Sequence, residues 1–132
     1  MDFPELTEGR LIKRYKRFIA DVRLSATSDL ICAHCPNTGA MTGCQPSGGK
    51  IWLSFHDLQH RKLKWTWELV ETDTGLVCVH AALANRVVAE AIEHGFFASL
   101  WPTEAPWCRE KPLGVGSRAD FFIDWKQGVF IE

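Results

Sequence analysis

Cys32-Ala-His-Cys-Pro-Asn-Thr-Gly-Ala-Met-Thr-Gly-Cys44, reached from the basic run Leu11-Ile-Lys-Arg-Tyr-Lys-Arg-Phe18, is the stretch on which the rest of the chain turns. Sulfur, polar and glycine residues crowd together there between two apolar segments. Pro36-Asn37 and Thr38-Gly39 are turn formers, and Gly39 and Gly43 have access to backbone angles closed to other residues. The basic run is strand-like and carries positive charge on both faces. Its pattern alternates imperfectly: Phe18, Ala20, Val22 and Leu24 share a face at period two, while Arg14 and Lys16 interrupt that face earlier. The expectation is one long strand with a buried second half and a first half in solvent, after a polar lead-in over residues 1–9.

Working outward, Leu30–His34 reads as a partner strand after a turn at Ser25–Asp29, and Pro46-Ser-Gly-Gly49 is a further turn. Ile51, Leu53 and Phe55 alternate with Trp52, Ser54 and His56 in a third strand. Leu63, Trp65, Trp67 and Leu69 share one face of a fourth, with Lys64, Thr66 and Glu68 on the other. Thr72-Asp-Thr-Gly75 is a hairpin turn into a fifth strand, Leu76–His80. Five short strands in this length predict a small closed barrel of the oligonucleotide/oligosaccharide-binding (OB) type over residues 1–81. The period then changes. Ala84, Val87, Val88, Ala91 and Ile92 recur at helical spacing, with Gly95 as a C-terminal stop. A linker with Trp and Pro, Leu100–Trp107, leads to two strands, Ser117–Asp124 and Gly128–Glu132. The fold class is therefore mainly β with an α+β tail, divided at 1–81 and 82–132.

The wording of the first two stretches, I-K-R-Y-K-R-F followed by H-C-P-N-T-G-A-M-T-G, resembles the bacterial sugar fermentation stimulation protein A family. The motif loop carries this resemblance through His34, Pro36, Asn37, Gly39, Met41 and Gly43. It implies an N-terminal OB barrel that binds DNA without sequence preference, linked to control of sugar (maltose) utilisation. It also implies a C-terminal domain similar to PD-(D/E)XK nucleases. Such nucleases set an Asp on one strand and Glu-x-Lys on the next. Ser117-Arg-Ala-Asp120-Phe matches the first element and Phe130-Ile-Glu132 the start of the second, so the chain is expected to stop inside that domain, before the Lys. Asp120 and Glu132 are then the candidate catalytic and metal residues, for Mg²⁺ or Mn²⁺ if the site is completed, with Glu90, Glu93 or Glu110 as a third ligand. An apolar terminal strand, Val129–Ile131, calls for cover from a second polypeptide or self-association.

Composition bounds the rest. The chain has 132 residues, 15 Lys and Arg against 16 Asp and Glu, and 46% hydrophobic residues, enough for a real core. Neutral overall, it still concentrates charge: Arg10, Lys13, Arg14, Lys16, Arg17 and Arg23 face one anion, Asp21, between residues 10 and 23. Such a stripe is a nucleic-acid footprint or a solvated strand face. Lys13, Arg14, Tyr15, Lys16, Arg17, Arg61, Lys62 and Lys64 are the candidate nucleic-acid residues, because cations track a phosphate backbone and aromatics stack on bases. Tyr15, flanked by cations, is the stacking candidate; Trp65 and Trp67 read as core. No secretory signal and no span-length apolar run are visible, and five cysteines are an odd number, which predicts a cytoplasmic setting and no membrane. Cys32-x-x-Cys35 with Cys44 is half a zinc site, whose fourth ligand would be His34, His56 or Cys78. One CxxC without a partner pair is weak, so small buried thiols are the reading and zinc is not expected. Catalysis by Cys35 or Cys44 activated by His34 is set aside, since neighbours in a strand point to opposite faces. A purely structural or partner-binding role is the remaining alternative.

Overall fold

The computed structural model describes Met1–Glu132. It divides into two compact units, Asp2–Ala84 and Asn85–Glu132 together with Met1. The first holds six strands, β1 (Leu6–Tyr15), β2 (Ile19–Leu24), β3 (Leu30–His34), β4 (Lys50–Phe55), β5 (Trp65–Thr72) and β6 (Gly75–Cys78), in the order β3-β2-β1-β4-β5-β6. Parallel pairing of Ala33 with Trp65 and His34 with Thr66 joins β3 to β5 and closes the first five strands into an OB-like barrel, which leaves β6 as a hairpin extension of β5. Leu11, Ala20, Val22, Ala33, Ile51, Leu53, Trp67 and Val70 fill its interior, each essentially without exposure.

The expected single long strand is instead a hairpin. β1 begins at Leu6, inside the expected lead-in, and turns back at Lys16–Arg17, whose φ angles are 50° and 65°. Left-handed angles at two adjacent non-glycine residues reverse the chain without any residue that announces a turn. A bulge places Ile12 between the pairs Leu11–Val22 and Lys13–Asp21. The extra residue shifts the parity of the strand. Arg14 therefore pairs with buried Ala20 on the inner face, while Lys13 and Tyr15 point outward.

A second bulge reshapes β5. Trp52 pairs with Leu69 and Leu53 with Trp67, so Glu68 is the extra residue. Thr66 and Glu68, expected on the face opposite Trp65 and Trp67, are 2% and 3% exposed.

The helix α1 (Leu83–Glu93), in the second unit from Asn85 onward, ends before Gly95, which takes φ 70°. Three antiparallel strands follow in the order β7-β8-β9: β7 (Trp107–Gly114), β8 (Ser117–Ile123) and β9 (Val129–Ile131). β7 occupies residues left unassigned after the expected linker. Ala89, Ile92, Trp101, Phe121 and Ile123 form this unit's core. No helix is long and apolar enough to cross a membrane.

Candidate nucleic-acid interface

The outer face of β1–β3 carries a groove of about 480 Å³ lined by Ile12, Lys13, Leu30 and Cys32, among others. Across it, register sets Lys13 beside Asp21 and Asp21 beside Cys32. The Lys13 ammonium lies 3.5 Å from the Asp21 carboxylate and 5.2 Å from the Tyr15 ring centre. The Tyr15 hydroxyl donates to Asp21 Oδ1 at 3.0 Å and stands 3.7 Å from Cys32 Sγ. Hydrogen bonding to Cys32, then to Asp21, pushes the Tyr15 phenol up to about 12. Tyr15, the expected stacking residue, is thus tied down at its polar end and shared with a lysine.

Lys16 and Arg17 are exposed at the tip of the β1–β2 hairpin, and Arg14 is not with them. The Arg14 guanidinium donates to the carbonyls of Asn37 (2.7 Å) and Gly39 (2.9 Å), while its Nε donates to that of Arg17 (2.9 Å). One side chain therefore fastens the hairpin tip to the motif loop. The loop is stitched further. Asn37 Oδ1 accepts from Gly39 N, its Nδ2 donates to Val79 O at 3.0 Å, and Pro36 O accepts from Ala81 N. Met41 tucks into the barrel core, where the Cys35 thiol donates to its sulfur at 3.5 Å. Burial pushes the Cys35 thiol up, away from the thiolate. The loop that looks most chemical in sequence is a lid on the barrel, built of turn hydrogen bonds and one buried methionine.

The second group of cations hangs from the β4–β5 connection, whose base is closed by the Phe55–Trp65 pair and by His56 N donating to Lys64 O. Lys62 is exposed, Lys64 pairs with Asp57, and Arg61 donates to Thr66 Oγ1 at 2.9 Å. Beneath this loop lies a network that alternation in the sequence does not reveal. Ser54 Oγ donates to Glu68 Oε1 at 2.7 Å, and His80 Nδ1 meets Glu68 Oε2 at 2.7 Å. A hydroxyl has one proton. With it given to Glu68, the 2.7 Å contact of Ser54 Oγ with His56 Nε2 requires that the histidine donate, which assigns its tautomer. His34 borders the same cluster. Burial, then the charge interactions with Arg61 and with His80, hold it below the usual histidine value. Glu68 sits at the bulge, and its bonds anchor both the start of the basic loop through Ser54 and His56 and the chain after β6 through His80. The one sequence signal for this site is the number of histidines (34, 56, 80) at strand ends.

The carboxylate pair lies elsewhere, in the second unit. Asp120 is half-buried on the face of β8 opposite Ala119 and Phe121. The β8–β9 register reaches Phe121–Ile131, one residue short of Asp120 and Glu132. Glu110 falls between the pairs Arg109–Phe121 and Lys111–Ala119, but its carboxylate lies 3.7 Å from Arg118. No three His, Cys, Asp or Glu side chains anywhere in the chain are grouped to hold a metal ion. All five cysteines are free; Cys32 faces Tyr15 while Cys35 faces Met41.

Residues 12–79 match the family model described as the SfsA N-terminal OB domain. Curated relatives described as "Sugar fermentation stimulation protein homolog" are similar along nearly the whole chain. The one from Pseudomonas paraeruginosa is 48% identical over 132 residues, covering 98% of this chain and 55% of the relative. Those from Marinomonas sp. and Maricaulis maris are 44% and 46% identical, covering 93% and 94% of this chain and 47% and 52% of the relatives. The chain thus spans about half the length of the curated relatives it matches. The solved structure described as "The structure of Pyrococcus Furiosus SfsA in complex with Ca2+" is similar with a TM-score of 0.79 at 20% identity, over 100% of this chain and 55% of that one. At that identity the likeness shows the fold.

Proposed function

The chain belongs to the sugar fermentation stimulation protein family, and from that premise we propose that its barrel binds DNA without sequence preference. The phosphate contacts come from Lys13, Lys16 and Arg17 at the first hairpin and from Arg61, Lys62 and Lys64 in the β4–β5 loop. In OB barrels, the connections after the first and fourth strands and the face of strands two and three are where oligonucleotides lie. The observation that carries the reading is that, apart from Lys13 in β1, both groups of cations fall on those two connections. The Lys16–Arg17 tip adds weight. Two non-glycine residues held left-handed cost about 1–2 kcal/mol each, and conformations of that kind collect at working sites. The relatives' description, sugar fermentation stimulation, suggests control of sugar utilisation as the setting of that binding, with maltose the sugar that the sequence resemblance implies.

The archaeal relative's structure is described as a complex with Ca²⁺. In this chain, Asp120 and Glu132 would offer hard oxygen donors to Mg²⁺ or Mn²⁺. Two carboxylates without a grouped third donor do not make a site that fits the ion. A nuclease reading therefore needs donors from outside these 132 residues, and no cleavage step is assigned to Asp120 and Glu132.

The test is titration of a labelled duplex with the 132-residue chain over a salt series. Binding weakens with salt as counterions are released. Neutralising Lys16, Arg17, Arg61, Lys62 and Lys64 together makes the slope shallower by about 3–4. Arg14 is left in place, because it holds the motif loop. A slope unchanged in that variant removes both loops from the interface.

A further inference from the structure

We propose that Phe55, backed by Trp65, is a base-stacking platform and that the ligand preferred by the barrel is single-stranded DNA. This rests on the DNA-binding reading above and narrows its substrate. Along β4, Ile51, Leu53 and Phe55 share the inward face. The first two are fully buried, whereas Phe55 is 50% exposed, because the strand runs on past the end of the packed core. Its partner across the ladder is Trp65, whose ring centre lies 4.9 Å away at an interplanar angle of 57°. Trp65 in turn packs against the barrel core. The tryptophan thus braces the phenylalanine in a tilted pair, and about half of the phenylalanine stays open to solvent.

A half-exposed phenylalanine alone is ordinary on a protein surface. Here its setting defines what could cover it. Phe55 and Trp65 are the two ends of the loop that carries Arg61, Lys62 and Lys64, so an apolar ring and a group of cations share one short segment. Arg61 is fixed by its bond to Thr66, and the loop base is closed by His56 N on Lys64 O. A partner that satisfies both features must carry a planar apolar group and several anionic ones. An unpaired nucleotide offers both, its base to the ring and its phosphates to the loop. Duplex DNA keeps its bases stacked inside and offers phosphates alone. Leu58, 47% exposed, is a further apolar side chain of the same loop.

The experiment measures binding of the 132-residue chain to three probes at matched salt: oligothymidylate, an abasic strand of the same length, and a duplex of that length. Oligothymidylate is expected to bind at least about tenfold more tightly than the abasic strand, the size of one base stacked on one aromatic. Phe55→Ala should remove that tenfold and leave the salt slope and the duplex affinity as they were. Phe55→Trp should keep it, which separates stacking from a merely structural role. Equal affinity for oligothymidylate and the abasic strand, or a Phe55→Ala variant that retains the difference, overturns the platform while leaving the electrostatic reading intact. Binding to none of the three overturns both. An oligouridylate that binds as tightly as oligothymidylate supports the stacked base, rather than the sugar, as the recognised group.

Discussion

Replacing Glu68 tests whether the buried network under the β4–β5 loop holds the barrel together. The carboxylate is 4% exposed at its side chain and accepts two hydrogen bonds of 2.7 Å, from Ser54 and His80. Hydrogen bonds to a charged group contribute about 1.5–3 kcal/mol each. The Ser54 bond is fully buried and takes the middle of that range. His80 is 23% exposed, so water replaces part of its bond and the low end applies. Glu68→Gln keeps one acceptor oxygen and turns an amide donor toward the other partner. One bond is lost, at a cost of about 2 kcal/mol. Glu68→Leu loses both and leaves the Ser54 hydroxyl and the His80 ring unmatched, at about 3–4 kcal/mol. For a unit of this size each kcal/mol moves Tm by roughly 4–8 °C, so Gln should lower it by about 8–16 °C and Leu by more. Thermal melts followed by tryptophan fluorescence measure this, since Trp65 and Trp67 flank the site. A Ser54→Ala/Glu68→Gln double-mutant cycle should show coupling of about 1 kcal/mol or more. A Glu68→Gln protein whose melting point stays at that of the parent, or a cycle that is additive, refutes the network.

The remaining expectations concern single groups. Tyr15 is the chain's one tyrosine, so its ionisation is visible in ultraviolet difference absorbance; it should titrate at about 12 and move down toward the ordinary phenol value in Cys32→Ala or Asp21→Asn. The sign follows from a raised folded value: the stabilisation is complete below about pH 10 and is lost as pH rises through about 12, whereas ionisation near 10 in the parent would contradict the Cys32–Asp21 geometry. His34 has a lowered folded value, so the unfolded chain takes the proton more readily, and stability present above about pH 6.5 falls as the pH drops through the folded value. Denaturant unfolding from about pH 7.5 down to about pH 5 should show a steeper acid loss in the parent than in His34→Gln, and equal slopes would place His34 in solvent. Arg17→Gly relieves a left-handed φ of 65° and should stabilise the barrel by about 1 kcal/mol while weakening DNA binding; a destabilised variant would mean that the Arg17 side chain packs in a way the geometry does not show.

Strand alternation and the helical stripe make the barrel and α1 legible in the sequence, and the motif wording makes the family legible. The hairpin is not. Lys16–Arg17 contains no Gly, Asn or Asp, and its reversal is supported from outside by Arg14 bonding the Arg17 carbonyl. The even-numbered phase through Arg14 and Ala20 does carry the right face, because Arg14 turns inward. Glu68 misleads for a different reason. Alternation sets it with Thr66 on the face opposite Trp65 and Trp67, whereas the bulge re-aims it onto Ser54 and His80, and Arg61 of the β4–β5 loop bonds Thr66. β7 is invisible because Trp-Cys-Arg-Glu-Lys-Pro-Leu-Gly has no apolar period, and nearly all of it is exposed. In the motif loop, residues that spacing marks for sulfur and histidine chemistry also pack: Cys35 and Met41 lie in the core, and His34 borders the Glu68 cluster.

The central claim is that DNA meets the barrel at the two basic connections, and backbone amide shifts of the 132-residue chain during titration with oligothymidylate test it most directly. The predicted result is that the largest changes fall in residues 13–18 and 55–65, with β7–β9 unmoved. Changes concentrated around Asp120 and the β8–β9 pair, or none at saturating DNA, would contradict it.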